Sequence, residues 1–190
     1  MDSTDIYAAL REHYSGFFQG HESSESTWTT GPLLQILPDF KVVAVAPGPK
    51  CNLWTYLSLG AWEIAHCPTH RHEFFIIAEE PDPSHVETLA MLTYYHRNHR
   101  LGLGHTLPNG RPWLPESTLD HFLISLPYTF GPDLEEFAFR DVEVQVLWAL
   151  PITESEKRFR HDKGLEDLEV LFEENELDYW NPLRAPVVPQ

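Results

Sequence analysis

Chemistry in this chain would have one address, the run His66-Cys67-Pro68-Thr69-His70-Arg71-His72-Glu73. Imidazole and thiolate are good zinc ligands, and His70 and His72, two residues apart, share one side if the run is a strand. One reading is therefore a metal-dependent hydrolase using His66, His70 and His72. That reading is incomplete: a structural site needs four rigid ligands, a catalytic site a third ligand and a base, and no second Cys/His pair stands elsewhere at finger-like spacing. His96, His99, His105 or Glu73 would have to complete it through a convergence that spacing does not specify. The plainer reading is a histidine-rich hairpin tip with no metal, no cofactor and no catalytic residue.

Other chemistries have less to stand on. Ser58, Ser117 and Ser125 lack the glycine-flanked elbow of a nucleophilic serine, and Leu101-Gly102-Leu103-Gly104 lacks the lysine and helix start of a phosphate-cradling loop. Gly102 and Gly104 read as turn residues. The many carboxylates form nominal pairs, none set apart by apolar surroundings.

The elements that would position these residues follow from periodicity. Trp54 to Leu59 alternates apolar and polar before Gly60 and Trp62, as a half-buried strand entering a turn does. Glu73 to Ala78 is its neighbour, and the rest of the molecule packs on the sheet they begin. Ile6, Leu10, Tyr14 and Phe17 mark an amphipathic helix after Ser3 or Thr4, ending by Gly16 and Gly20. His21 to Gly31 is polar and reads as a loop. Leu33 to Leu37 and Val42 to Ala46 read as short strands about Pro38-Asp39.

Ser84 and Glu87 have capping-box spacing and open a helix that ends near Arg100. Between Gly102 and Pro132, only Leu119 to Leu126 has a strand pattern. Asp141 to Leu150 alternates and then turns wholly apolar, the signature of a strand entering a doubly covered centre. Thr153 and Glu156 make a second capping box. Past Gly164, Leu165, Leu168, Leu171 and Phe172 share one face of a last helix. Its other face carries Glu166, Asp167, Glu169, Glu173 and Glu174, with no basic residue between Gly164 and Trp180. Trp54, Trp62, Trp113 and Trp148 are assigned to the core or its margin.

Composition narrows the classes. Of 190 residues, 42% are hydrophobic, with six Trp, seven Tyr and eleven Phe, enough for a sizeable single core. The net charge of -16 has no basic stripe to offset it, which disfavours nucleic acid and anionic membranes and favours a basic protein partner. The acidic Met1 to Asp5 lacks a secretory pattern and no apolar run spans a bilayer, so the expected location is the cytoplasm, with Cys51 and Cys67 as reduced thiols.

Several segments occur together in an order that resembles suppressor-of-fused-like (SUFU) domains of the bacterial type. They are Trp54 to Ala61, Glu73 to Ile76, Gly110-Arg111-Pro112-Trp113-Leu114, Leu123 to Tyr128, Val146 to Ile152 with Glu154, and Gly164-Leu165-Leu168. The resemblance implies an α+β fold, a central mixed β-sheet flanked by helices, with no catalytic residues to carry over. Animal members restrain a transcription factor, and this chain lacks the length of their second domain. Bacterial members resemble immunity proteins that neutralise a cognate polymorphic toxin by stoichiometric binding.

The expected organisation is an N-terminal helix and polar loop over 1–31, the suppressor-of-fused-like domain over 32–180, and a proline-rich, extended or loose tail over 181–190. The expected partner is a protein, a basic toxin domain on the immunity reading. A regulator or scaffold of an endogenous partner is the alternative. Glu166, Asp167, Glu169, Glu173 and Glu174, with His70 and His72 of the histidine-rich turn, are the partner-binding candidates. Oligomeric state is left open.

Overall fold

The computed structural model describes residues 3–64 and 71–189. From the N-terminus, α1 (Ser3–Phe17) leads to β1 (Ser23–Ser26), β2 (Lys41–Val45), β3 (Trp54–Leu59) and, after a 3-10 turn at Ala61–Glu63, β4 (Arg71–Ala78). Next come α2 (Pro83–His99), β5 (Thr106–Pro108), β6 (His121–Ser125), α3 (Pro132–Glu135), β7 (Glu136–Phe139) and β8 (Val142–Ile152). The last elements are α4 (Glu154–Lys163) and α5 (Leu165–Glu174).

The strands form one mixed sheet in the order β1-β2-β3-β4-β8-β6-β5, the arrangement that the family resemblance implies. β3 and β4 are neighbours in the sheet, as expected, and pair antiparallel with Leu57 opposite Phe75. β4 and β8 pair parallel, with Phe75 opposite Trp148. The other edge of β8 is shared: β7 covers its first half, from Val142 to Gln145, and β6 its second half, from Trp148 to Ile152. A period of two therefore feeds two cores. Phe75 and Ile77 join Trp148, Leu150 and the apolar faces of α1 and α5 on one side of the sheet. Phe74 and Ile76 join Leu147, Ala149 and the inner residues of α2 on the other. Each fully buried Phe, Ile or Leu stabilises the fold by about 1.5–3 kcal/mol. β8 shows the change of pattern along its length: Glu143 is exposed, whereas Val146 to Ile152 are all buried.

Four local expectations are corrected. His21 to Gly31 contains β1, whose polar Ser23-Ser24-Glu25-Ser26 sits at the sheet margin, where backbone pairing to Val42–Val45 needs no apolar side chains. Leu33 to Leu37 is not a strand. It coils into turns, with the Ile36 and Leu37 amides bonded to the Leu33 carbonyl, so that Leu33 and Leu37 both reach the core. The short β5 and β7 were missed because neither shows period-two alternation long enough to read. Helix α2 is capped by Asp82, whose carboxylate accepts from the Ser84 N–H at 2.7 Å, rather than by a Ser84–Glu87 box. Glu87 instead accepts from the Trp28 indole. At α4 the Thr153–Glu156 box is present as expected.

Glu156 does more than cap. Its fully buried carboxylate takes both Arg184 terminal nitrogens at 2.7 Å and the Val187 N–H at 3.0 Å. Arg184 also donates to the Pro151 carbonyl, while Ser117 and Ser155 hydroxyls hold the carbonyls of Pro182 and Val188. The proline-rich tail is thus pinned from Pro182 to Val188 rather than loose. Arg184→Met leaves Glu156 buried without its cation and is expected to lower stability by about 3 kcal/mol, read as a reduced midpoint in urea with unchanged slope.

Candidate functional site

Glu73, a conceivable base or metal ligand by sequence, is committed to the turn after β3. It is fully buried, and its carboxylate accepts from the Ser58 hydroxyl, the Gly60 N–H at 2.7 Å and the Trp62 N–H at 3.2 Å. Burial pushes its carboxyl up to about 7, against the opposing pull of those hydrogen bonds. Gly60 sits at φ 124°, and a Cβ there would collide with the Tyr7 hydroxyl. Gly60→Ala is expected to cost about 2 kcal/mol, measured by thermal melting; an unchanged melting point would show that the turn relaxes freely.

His66, Cys67 and His70 lie outside the described residues. His72 is half-buried at the start of β4, in a polar groove with Arg71, Glu135 and Gln145. Its ring lies 5.8 Å from that of His96 on α2. Among the described residues no group of three or more His, Cys, Asp or Glu side chains converges as metal ligands would.

The acidic helix shapes a different place. Helix α5 buries Leu168 and Phe172, which turns Glu166, Glu169 and Glu173 along one flank at separations of three and four residues. That flank, with the Tyr128 loop and the Leu177–Tyr179 segment, walls a groove of about 660 Å³ floored by Trp148 and Leu150 of β8. Glu176 joins the rim from beyond the helix end. Asp167 and Glu174, expected on the same surface, are exposed but do not line the groove, and His72 lines the other one.

Two features of the groove were not foreseen. Its apolar surface reaches solvent, with Tyr128 61% and Val170 45% exposed. Trp148, assigned correctly to the core at 4% exposure, also lines it. Val170, the apolar residue set among the outward glutamates of α5, was the available signal.

The electrostatics are one-sided. Among the described residues no Lys, Arg or His lines the groove. Burial raises the Glu169 carboxyl, although hydroxyl bonds from Tyr128, at 3.1 Å, and Ser125 partly stabilise its charge. The Tyr128 hydroxyl is in turn pushed up to about 12 by burial and by Glu169. Glu173 and Glu174 occupy the last turn of α5, where the helix dipole disfavours anions by about 0.3–1 kcal/mol each and no basic residue compensates. Such an arrangement offers a cationic, partly apolar surface a place to bind.

Comparisons with known proteins agree with this architecture. The family model for suppressor of fused protein (SUFU) matches residues 38–185. No curated protein matches the chain. The crystal structure of a SUFU homologue from Neisseria gonorrhoeae is similar at 37% identity and a TM-score of 0.87, covering 98% of this chain and 99% of its own. The Sufu–Fu complex structure aligns over 97% of this chain and 91% of that chain at 15% identity and a TM-score of 0.69. Drosophila Suppressor of Fused aligns at 14% identity and a TM-score of 0.68 over 95% of this chain, which spans 50% of that longer protein. The last two likenesses are of fold alone. With a family model over most of its length and a full-length homologue of the same kind, this chain belongs to the suppressor of fused family.

Proposed function

We propose that this chain is a non-enzymatic protein-binding domain that acts as an immunity protein, neutralising a basic toxin domain by one-to-one occlusion. The observation that carries the reading is the carboxylate-rimmed groove with solvent-exposed Tyr128 and Val170, lined by no basic side chain among the described residues, on a chain of net charge -16. A toxin that cuts or modifies nucleic acid must present a basic surface to hold its substrate, so an acidic inhibitor gains both encounter rate and complementarity against it. Family membership supports protein binding. The fold of the Sufu–Fu complex, a structure named for two proteins bound together, is consistent with it.

An inhibitor of an internal toxin acts in the cytoplasm, and that is the location this role requires; among the described residues no helix is long and apolar enough to cross a membrane. The test is a growth assay. The protein captured by this chain from its native host, expressed alone in a bacterial cell, is expected to arrest growth, and co-expression of the chain to restore it. A captured partner that is harmless by itself would overturn the immunity role in favour of a regulator or scaffold.

One observation keeps the metal reading in view, the His72–His96 pair. Stoichiometric zinc in the purified protein, lost on His72→Ala, would promote a metal-dependent hydrolase over the binding domain.

A further inference from the structure

We propose that the groove between α5, the Tyr128 loop and β8 receives an extended segment of the partner in which a bulky apolar side chain stands beside Lys or Arg. In this arrangement the apolar group rests on Trp148 and Val170, and the cation lies against Glu169 and Glu173. The inference rests on the protein-binding reading and deepens it by naming the chemistry recognised.

Two independent features point to that occupant. The carboxylates of Glu166, Glu169 and Glu173 follow one helix flank with no basic neighbour in the groove among the described residues, a like-charged row that a cation would relieve. The floor and one rim are apolar, so a purely ionic ligand would leave Val170 and the Tyr128 ring uncovered. An anionic peptide meets repulsion here, and a cationic segment without an apolar anchor gains charge attraction alone.

The experiment is a titration of isotopically labelled protein followed by nuclear magnetic resonance, with the indole signal of Trp148 assigned from a Trp148→Phe variant. The probes are acetyl-Arg-Leu-Arg-amide, acetyl-Arg-Gly-Arg-amide and acetyl-Glu-Leu-Glu-amide. Saturable shifts are expected with the first, at the Trp148 indole and at the amides of residues 125–129 and 166–176. Binding of the second should be at least tenfold weaker, and the third should give no shifts. Glu169→Gln, which keeps the shape of the side chain and removes its charge, should weaken the first at least fivefold. Equal binding of the leucine and glycine probes, shifts confined to other surfaces, or no shifts at all would overturn the proposal. If the titration fails while the chain still relieves a toxin's growth arrest, only the assigned occupant is wrong. If the titration succeeds and no toxin is found, the groove stands and the immunity role falls.

Discussion

Reversing three groove carboxylates together, by Glu166→Lys, Glu169→Lys and Glu173→Lys, is expected to weaken capture of a basic partner by about 1,000-fold, near 4 kcal/mol, with the domain still folded. Each reversal changes the charge by two, so the net charge moves only from -16 to -10 and the protein remains strongly acidic overall. What changes is the local field at the groove. The association rate should fall by about tenfold or more, and its steep dependence on ionic strength should flatten. Stability should change little, because Glu166→Lys in the first turn of α5 and Glu173→Lys in its last turn act oppositely on the helix dipole. A lysine in place of Glu173 puts a cation in the last turn of α5, where none now stands, a change of about 0.3–1 kcal/mol in favour of the helix. Loss of binding together with a nearly unchanged melting temperature separates a functional surface from a structural one. Unchanged association kinetics would remove this face from consideration.

Glu73→Ala has the largest expected effect on stability, about 5 kcal/mol, or a fall in melting temperature of about 10–20 °C for a domain of this size. The substitution strands the Ser58 hydroxyl and the Gly60 and Trp62 N–H groups in a dry interior and leaves a cavity beneath the turn. Glu73→Gln keeps the shape and most of the bonds, and it isolates the charge. Because burial raises the folded-state carboxyl from its ordinary 4.5 to about 7, the unfolded chain releases this proton first as pH rises. The contribution of Glu73 to stability is therefore fully present below 4.5 and lost as pH climbs to about 7. The stability of the native protein minus that of Glu73→Gln, from urea unfolding, should decrease between about pH 5 and pH 8. A flat difference would mean that the hydrogen bonds of the turn fully offset its burial.

The long elements were legible because their patterns are long. Eleven residues of β8 record both the exposed Glu143 and the doubly covered run after it, and Thr153 with Glu156 announces α4 through a local bond that needs no tertiary partner. The margins were not legible. β1 is polar and owes its existence to the backbone of β2, and Leu33 to Leu37 is apolar because turns, not a strand, carry both ends inward. The tail reads as loose because nothing local foretells that Arg184 will meet Glu156, 28 residues away. The groove was half visible: the glutamates of α5 follow from helical spacing, whereas their convergence with Tyr128 and Trp148 depends on which strand neighbours which helix.

Affinity capture from native host cells, run in parallel on the wild-type chain and on the triple lysine variant, tests the central claim most directly. The account predicts that the wild-type chain retains a basic protein, that the complex has a one-to-one mass by native mass spectrometry, and that the variant loses it. The same partner held equally by both chains, or a partner with no basic surface, would contradict it.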